Sequence, residues 1–111
     1  MNAEELKSKL KELFGSQIVF NKDFEYFANT LNNLDVNLIE WCQQVKNQEI
    51  RATLPENFKE GLVFIKKIGS SNRCLVMKIK NGEFKEIHLG DHDYYNKLTK
   101  ALGLKKSSKT Y

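Results

Sequence analysis

Proline is almost absent: Pro55 is the only one in 111 residues. Helices and strands elsewhere in the chain therefore meet no such breaker. Histidine is scarce as well, with His88 and His92 alone, so imidazole chemistry near neutral pH has two places to reside. The two cysteines, Cys42 and Cys74, lie 32 residues apart and match no metal-ligand spacing. Both sit among apolar neighbours, which predicts two reduced core thiols. No apolar run approaches the roughly 20 residues that span a bilayer. Residues 1–14 alternate Glu and Lys with Leu, unlike the long apolar stretch of a signal peptide. The expectation is a cytoplasmic protein with no membrane contact. A phosphate-binding glycine loop, a paired zinc motif and a Ser-His-Asp pattern are also missing, so no metal and no cofactor is expected.

What is present suits a folded chain. Hydrophobic residues make up 41% and charged residues 29%, with seven Phe, four Tyr and one Trp to supply a core. The length predicts one domain over residues 1–111. The net charge of +4 is unevenly spread. Residues 59–111 hold 12 Lys and Arg against 5 Asp and Glu, whereas residues 1–58 hold 6 against 9. A basic half of this kind suits a polyanion such as nucleic acid.

Apolar spacing divides the chain. Leu6, Leu10 and Leu13 predict an amphipathic helix over 3–14, closed by Gly15 and needing a partner surface. Ile18-Val19-Phe20 reads as a short edge strand. Asn21 or Asp23 can cap a second helix with the stripe Phe24, Phe27, Ala28 and Leu31. A third helix over 35–46 is expected to bury Leu38, Ile39, Cys42 and Val45, with Trp41 off that stripe. After the polar connection 48–57 the period changes. Strands are predicted at 62–68, 73–80 and 83–89. Asn81-Gly82 predicts a two-residue type I′ hairpin, in which both central residues take positive φ. A short helix follows Gly90, and 105–111 reads as a flexible basic tail. Helices grouped before strands argue for an α+β fold: a twisted antiparallel sheet with helices packed on one face.

The chemistry-bearing residues gather on the meander: Lys66, Lys67, Arg73, Lys78, Lys80, Lys85, His88 and His92. Strand alternation puts Lys78 and Lys80 on one face and sends Lys66 and Lys67 to opposite faces. The side away from the helices is therefore expected to be a cationic surface. There Lys67, Lys78, Lys80 and Lys85 grip a phosphate backbone, and Tyr94 and Tyr95 stack on unpaired bases. His88, in mid-strand, is expected to pack or to hydrogen-bond locally. His92 lies just beyond a strand end, a common place for functional groups, and Asp91 or Asp93 can cap the helix there.

At these residues the chain resembles the RelE/ParE superfamily, toxins of type II toxin–antitoxin systems. The resemblance covers residues 17–102 and is strongest in FIKKIGSSNRCLVMKIKNGEFKEIHLGDHDYY. Arg73 opens the middle strand after the Gly-Ser-Ser-Asn turn, Lys66 falls on the strand before it, and His92 follows the last strand. Residues 1–15 add a helix that the minimal fold does not need. Phe64 stands where the family carries a basic residue, and Tyr94 and Tyr95 only approximate its C-terminal aromatic. The resemblance implies a messenger-RNA endoribonuclease acting on the ribosome without a metal. The 2′-hydroxyl would attack the adjacent phosphate, leaving a 2′,3′-cyclic phosphate and a 5′-hydroxyl. Lys66 would stabilise charge or act as base, Arg73 would clamp the phosphate and His92 would serve as acid. It also implies a cognate antitoxin as partner, with the toxin monomeric when free and hetero-oligomeric when bound. The alternatives are a ParE-like inhibitor of DNA gyrase and a non-catalytic RNA- or antitoxin-binding member of the fold.

Overall fold

Asn2 begins the first helix by capping it. Its Oδ1 accepts from the Glu5 backbone N–H at 2.8 Å, and Glu5 Oε1 accepts in return from the Asn2 N–H at 3.4 Å, a reciprocal box that satisfies two otherwise orphaned donors. The structure is a computed structural model that describes residues 1–104, so the tail expected at 105–111 lies outside the described residues. The helices are α1 (Ala3–Phe14), α2 (Phe24–Asn29), α3 (Asp35–Lys46) and α4 (His92–Leu102). The strands are β1 (Val19–Phe20), β2 (Gly61–Ile68), β3 (Asn72–Ile79) and β4 (Phe84–Asp91). A 3-10 turn at Asn32–Leu34 joins α2 to α3, and Asn32 takes a positive φ of 55°.

The chain is mixed α+β, with four strands in the order β1-β4-β3-β2. The meander β2-β3-β4 is antiparallel, but β1 pairs with β4 in parallel, so the expected all-antiparallel sheet is corrected to a mixed one. Two residues of β1 suffice because the Asn21 side chain continues the pairing. Its Nδ2 donates to the Leu89 carbonyl and its Oδ1 accepts from the Leu89 N–H, each at 2.9 Å.

The expectation of helices on one face is also corrected. On one side, α1, α2 and α3 bury Leu6, Leu10, Phe24, Leu38 and Cys42 against Phe64, Cys74, Val76, Ile87 and Leu89. On the other side, Val63, Ile65, Leu75 and Met77 are covered by Tyr95, Leu98 and Leu102 of α4. The physical reason is visible in GLVFIKKI and RCLVMKIK, whose apolar residues occupy both parities. A strand that is apolar at consecutive positions needs cover on both faces. On α3 the buried set is Leu38, Trp41, Cys42 and Val45, so Trp41 replaces Ile39 on the inward stripe. Asp35, at the start of α3, is buried as well. Its Oδ2 accepts from the Met1 α-ammonium at 2.7 Å, which ties α1 to α3.

The hairpin between β3 and β4 differs from the type I′ expectation. Its loop has three residues, Lys80, Asn81 and Gly82, and of these only Asn81 has a positive φ, 57°. Lys78 stabilises this form, because its Nζ donates to the carbonyls of Ile79 at 3.0 Å and Gly82 at 2.6 Å. The register then slips, with Met77 opposite Glu86 and Lys78 opposite Phe84. Lys85 is the extra residue of a bulge.

Candidate functional site

Register in the meander sets one row of side chains apart. Lys67 lies directly opposite Arg73, and Arg73 opposite Gly90, all on the sheet face that α4 covers. Such cross-strand neighbours have Cβ atoms roughly 5 Å apart. Lys67 is exposed and Arg73 half-buried. Among the described residues neither forms an ion pair. Two adjacent like charges repel, so this row is locally electropositive.

Gly90 lets α4 begin directly over the strand end. A side chain there would come within 2.5–2.8 Å of the Tyr94 Cβ, Cγ and Cδ2. Asp91 caps the helix, accepting from the Tyr94 N–H at 2.9 Å. The first turn then brings Tyr95 over the row. The Arg73 guanidinium lies 5.6 Å from the Tyr95 ring centroid, within cation–π range. The exposed His92 ring stacks near the same ring, with centroids 6.3 Å apart. Arg73, His92 and Lys67 are therefore brought to one corner around Tyr95. The Arg73 Nη1 makes a bond of 3.2 Å to the carbonyl of Asn72, which leaves most of its donor fork free.

The other candidates go elsewhere. Lys66 pairs with Cys74 and shares its face, toward α3, on the opposite side of the sheet from Arg73. Lys78 does not lie on a wet face. It is half-buried beside Leu62, Phe64 and Phe84, with its Nζ 5.6 Å from the Phe84 ring centroid. Lys80 is exposed in the turn and Lys85 exposed at the bulge. These three cluster at the hairpin end, roughly 20 Å from Arg73 at the rise of a strand. The cationic surface expected away from the helices is thus replaced by two separate basic ends, because α4 occupies the middle.

Tyr94 turns inward instead of presenting its ring for stacking. Its hydroxyl lies 2.7 Å from His88 Nδ1, and His88 Nε2 lies 2.8 Å from Glu86 Oε1. Burial pushes the Tyr94 phenol above its ordinary value, and an ionised Glu86 can only accept. His88 Nε2–H then donates to Glu86. His88 packs and hydrogen-bonds locally as expected, but the Glu86-His88-Tyr94 chain was not foreseen. Its two strand members are two residues apart, the spacing of one strand face, and that was the available signal. Cys42 and Cys74 are free and buried. Burial pushes both thiols up, which makes them inert. No helix of the described residues is long and apolar enough to cross a membrane. No protein-family model, curated protein or solved structure matches the chain.

Proposed function

We propose that the chain is a RelE-like toxin that cleaves messenger RNA on the ribosome, with the Lys67–Arg73–His92 corner as its phosphate-handling site. One observation carries this reading: two cations with no ion pair among the described residues stand opposite each other in register, and the guanidinium of one shares an aromatic ring with an exposed imidazole. The order of strand, two helices, meander and helix also supports it. In this reaction the ribose 2′-hydroxyl gives up its proton to water as its oxygen bonds to phosphorus, and the P–O5′ bond breaks. Arg73 follows the growing charge on the phosphorane through its planar fork. Lys67, and not Lys66, adds the second cation. His92 protonates the leaving 5′-oxygen, which gives a 5′-hydroxyl and a 2′,3′-cyclic phosphate. Tyr95 positions both Arg73 and His92. A cognate antitoxin is part of the proposal, since an unguarded nuclease of this kind would arrest its host.

The test is cleavage of ribosome-bound messenger RNA, mapped at nucleotide resolution, with circular dichroism as the check on folding. Arg73→Ala should lower the rate on the order of 10²-fold or more, as expected for a lost charge stabiliser. His92→Ala should lower it by roughly 10²–10⁴-fold, the contribution of a general acid. A folded wild-type protein that cuts nothing on ribosomes yet blocks DNA gyrase overturns the nuclease reading.

A further inference from the structure

A cavity of about 320 Å³ opens on the helical side of the sheet at the hairpin end of the meander, away from Arg73. Its walls come from three parts of the chain. Val45 lies near the end of α3, Ile50 and Ala52 follow in the connection to β2, and Leu62, Phe64 and Phe84 rise from the strands. All six are apolar, and each is buried in the larger core cluster or packed against it. The cavity is thus an opening into that core. Its size falls at the small end of small-molecule sites, and its lining is of their kind, mostly apolar with a few placed polar groups.

Two lysines line the same cavity, and no carboxylate among the described residues does. Neither lysine forms an ion pair among the described residues. Lys78 is the better held. Its Nζ donates to the carbonyls of Ile79 and Gly82, which flank the lining residue Asn81, and lies 5.6 Å from the ring centroid of Phe84. These bonds fix the ammonium at the hairpin wall and leave one of its three N–H donors. Lys46 Nζ donates to the Leu13 carbonyl at 2.6 Å and keeps two. Lys78 is half-buried, so its charge is partly desolvated while no counter-ion stands beside it. An apolar floor with cations and no acid is complemented by an apolar body with one anionic head.

The apolar surface is confined to the recess. The exposed large hydrophobics are Met1, Val19, Tyr26, Val36 and Leu54, and none of them lines it. A protein partner would need a broader apolar patch with a polar rim, whereas a small molecule needs only the recess. We propose that this cavity binds a small apolar carboxylate, with its hydrocarbon part against Ile50, Leu62 and Phe64 and its head toward Lys78. The proposal is independent of the nuclease reading, because Lys67, Arg73 and His92 take no part.

The experiment follows the methyl resonances of Val45, Ile50 and Leu62 in the full chain by NMR. Octanoate should move them saturably. Octanol has the same chain without the charge and should bind about tenfold more weakly or worse, as for the loss of a charged hydrogen bond. Acetate, the head without the chain, should leave the methyls unmoved. Ala52→Leu puts extra carbon into the cavity and should abolish the response to octanoate. Lys78→Met keeps the stem and should bring octanoate and octanol to near parity, whereas Arg73→Ala should bind as wild type. Melting curves check that each variant folds, and the comparison of octanoate with octanol needs no variant. The proposal falls if octanoate gives no saturable shift at these methyls, if octanol or acetate binds as well, or if folded Ala52→Leu or Lys78→Met behaves as wild type. It falls as well if the same methyls shift with protein concentration alone, which assigns the recess to a second copy of the chain.

Discussion

Lys67 and Arg73 repel each other in the folded protein and gain nothing from a described carboxylate. Removing one charge should therefore favour folding slightly while harming function. Lys67→Ala is expected to unfold at equal or higher urea concentration than wild type. The same change should weaken RNA binding and lower the slope of log affinity against log salt by about 0.7, the release expected for one phosphate contact on a single strand. An unchanged slope would remove Lys67 from the site. Asp35 behaves differently, because its partner is a cation. The Met1 α-ammonium at 2.7 Å holds its carboxyl below the ordinary value of 3.8. A carboxyl with a lowered folded value contributes stability above its unfolded pKa and loses it as the pH falls through the folded value. Asp35→Asn should therefore lower the melting temperature near neutral pH. It should also flatten the loss of stability that wild type shows below about pH 4, as thermal melts across acid pH would reveal.

At the scale of elements, α4 is the least secured. None of its residues is fully buried, whereas β3 buries Cys74, Leu75, Val76 and Met77. Its backbone amides should exchange with solvent faster than those of β3, since local opening follows burial. What holds α4 in place is specific. Asp91 caps it, the His88-Tyr94 bond pins its first turn, and Leu98 and Leu102 pack on the sheet. Gly90 is the hinge of this arrangement, because a methyl group there would strike Tyr94 within 3 Å. Gly90→Ala is expected to shift the first turn of α4, to speed its amide exchange further and to lower RNA cleavage by moving His92 and Tyr95. If the variant keeps wild-type exchange in α4 and wild-type cleavage, the helix does not depend on that close approach. The α1 helix has a plainer role. It buries Leu6 and Leu10 in the larger cluster, at roughly 1.5–3 kcal/mol for each such side chain.

Across the whole molecule, α4 divides the basic residues into two ends. Lys67, Arg73 and His92 lie at one end of the meander. Lys78, Lys80 and Lys85 lie at the hairpin end, roughly 20 Å away at the rise of a strand. A scissile phosphate cannot touch both groups. The double variant Lys80→Ala, Lys85→Ala should therefore leave the rate of the bond-breaking step within about threefold of wild type. It should lessen only the salt-sensitive part of RNA binding. Single-turnover cleavage at saturating protein separates the two effects, and a rate loss of 10²-fold would show that the hairpin end belongs to the chemistry.

Much of this was legible in the sequence, because local rules govern it. The change from helical to strand period placed the meander at nearly the right residues, and Gly15 marked the end of α1, whereas Gly90 lies within β4 and not at its end. Arg73 and His92 stood out by type and by their places at strand ends. Strand alternation also sent Lys66 and Lys67 to opposite faces. Tertiary structure decided which of those faces mattered. The apolar residues of both parities in β2 and β3 needed cover on two sides, and α4 supplied the second cover at the cost of the open cationic sheet. Lys78 keeps the face that alternation gives it, but that face lies under the helices beside Leu62 and Phe64, and its Nζ is taken up by the carbonyls of Ile79 and Gly82. Pairing register, which depends on residues far apart in the chain, set Lys67 opposite Arg73 and left Lys66 beside Trp41. Periodicity assigns a side chain to a face of its own element; only packing between elements determines what that face meets.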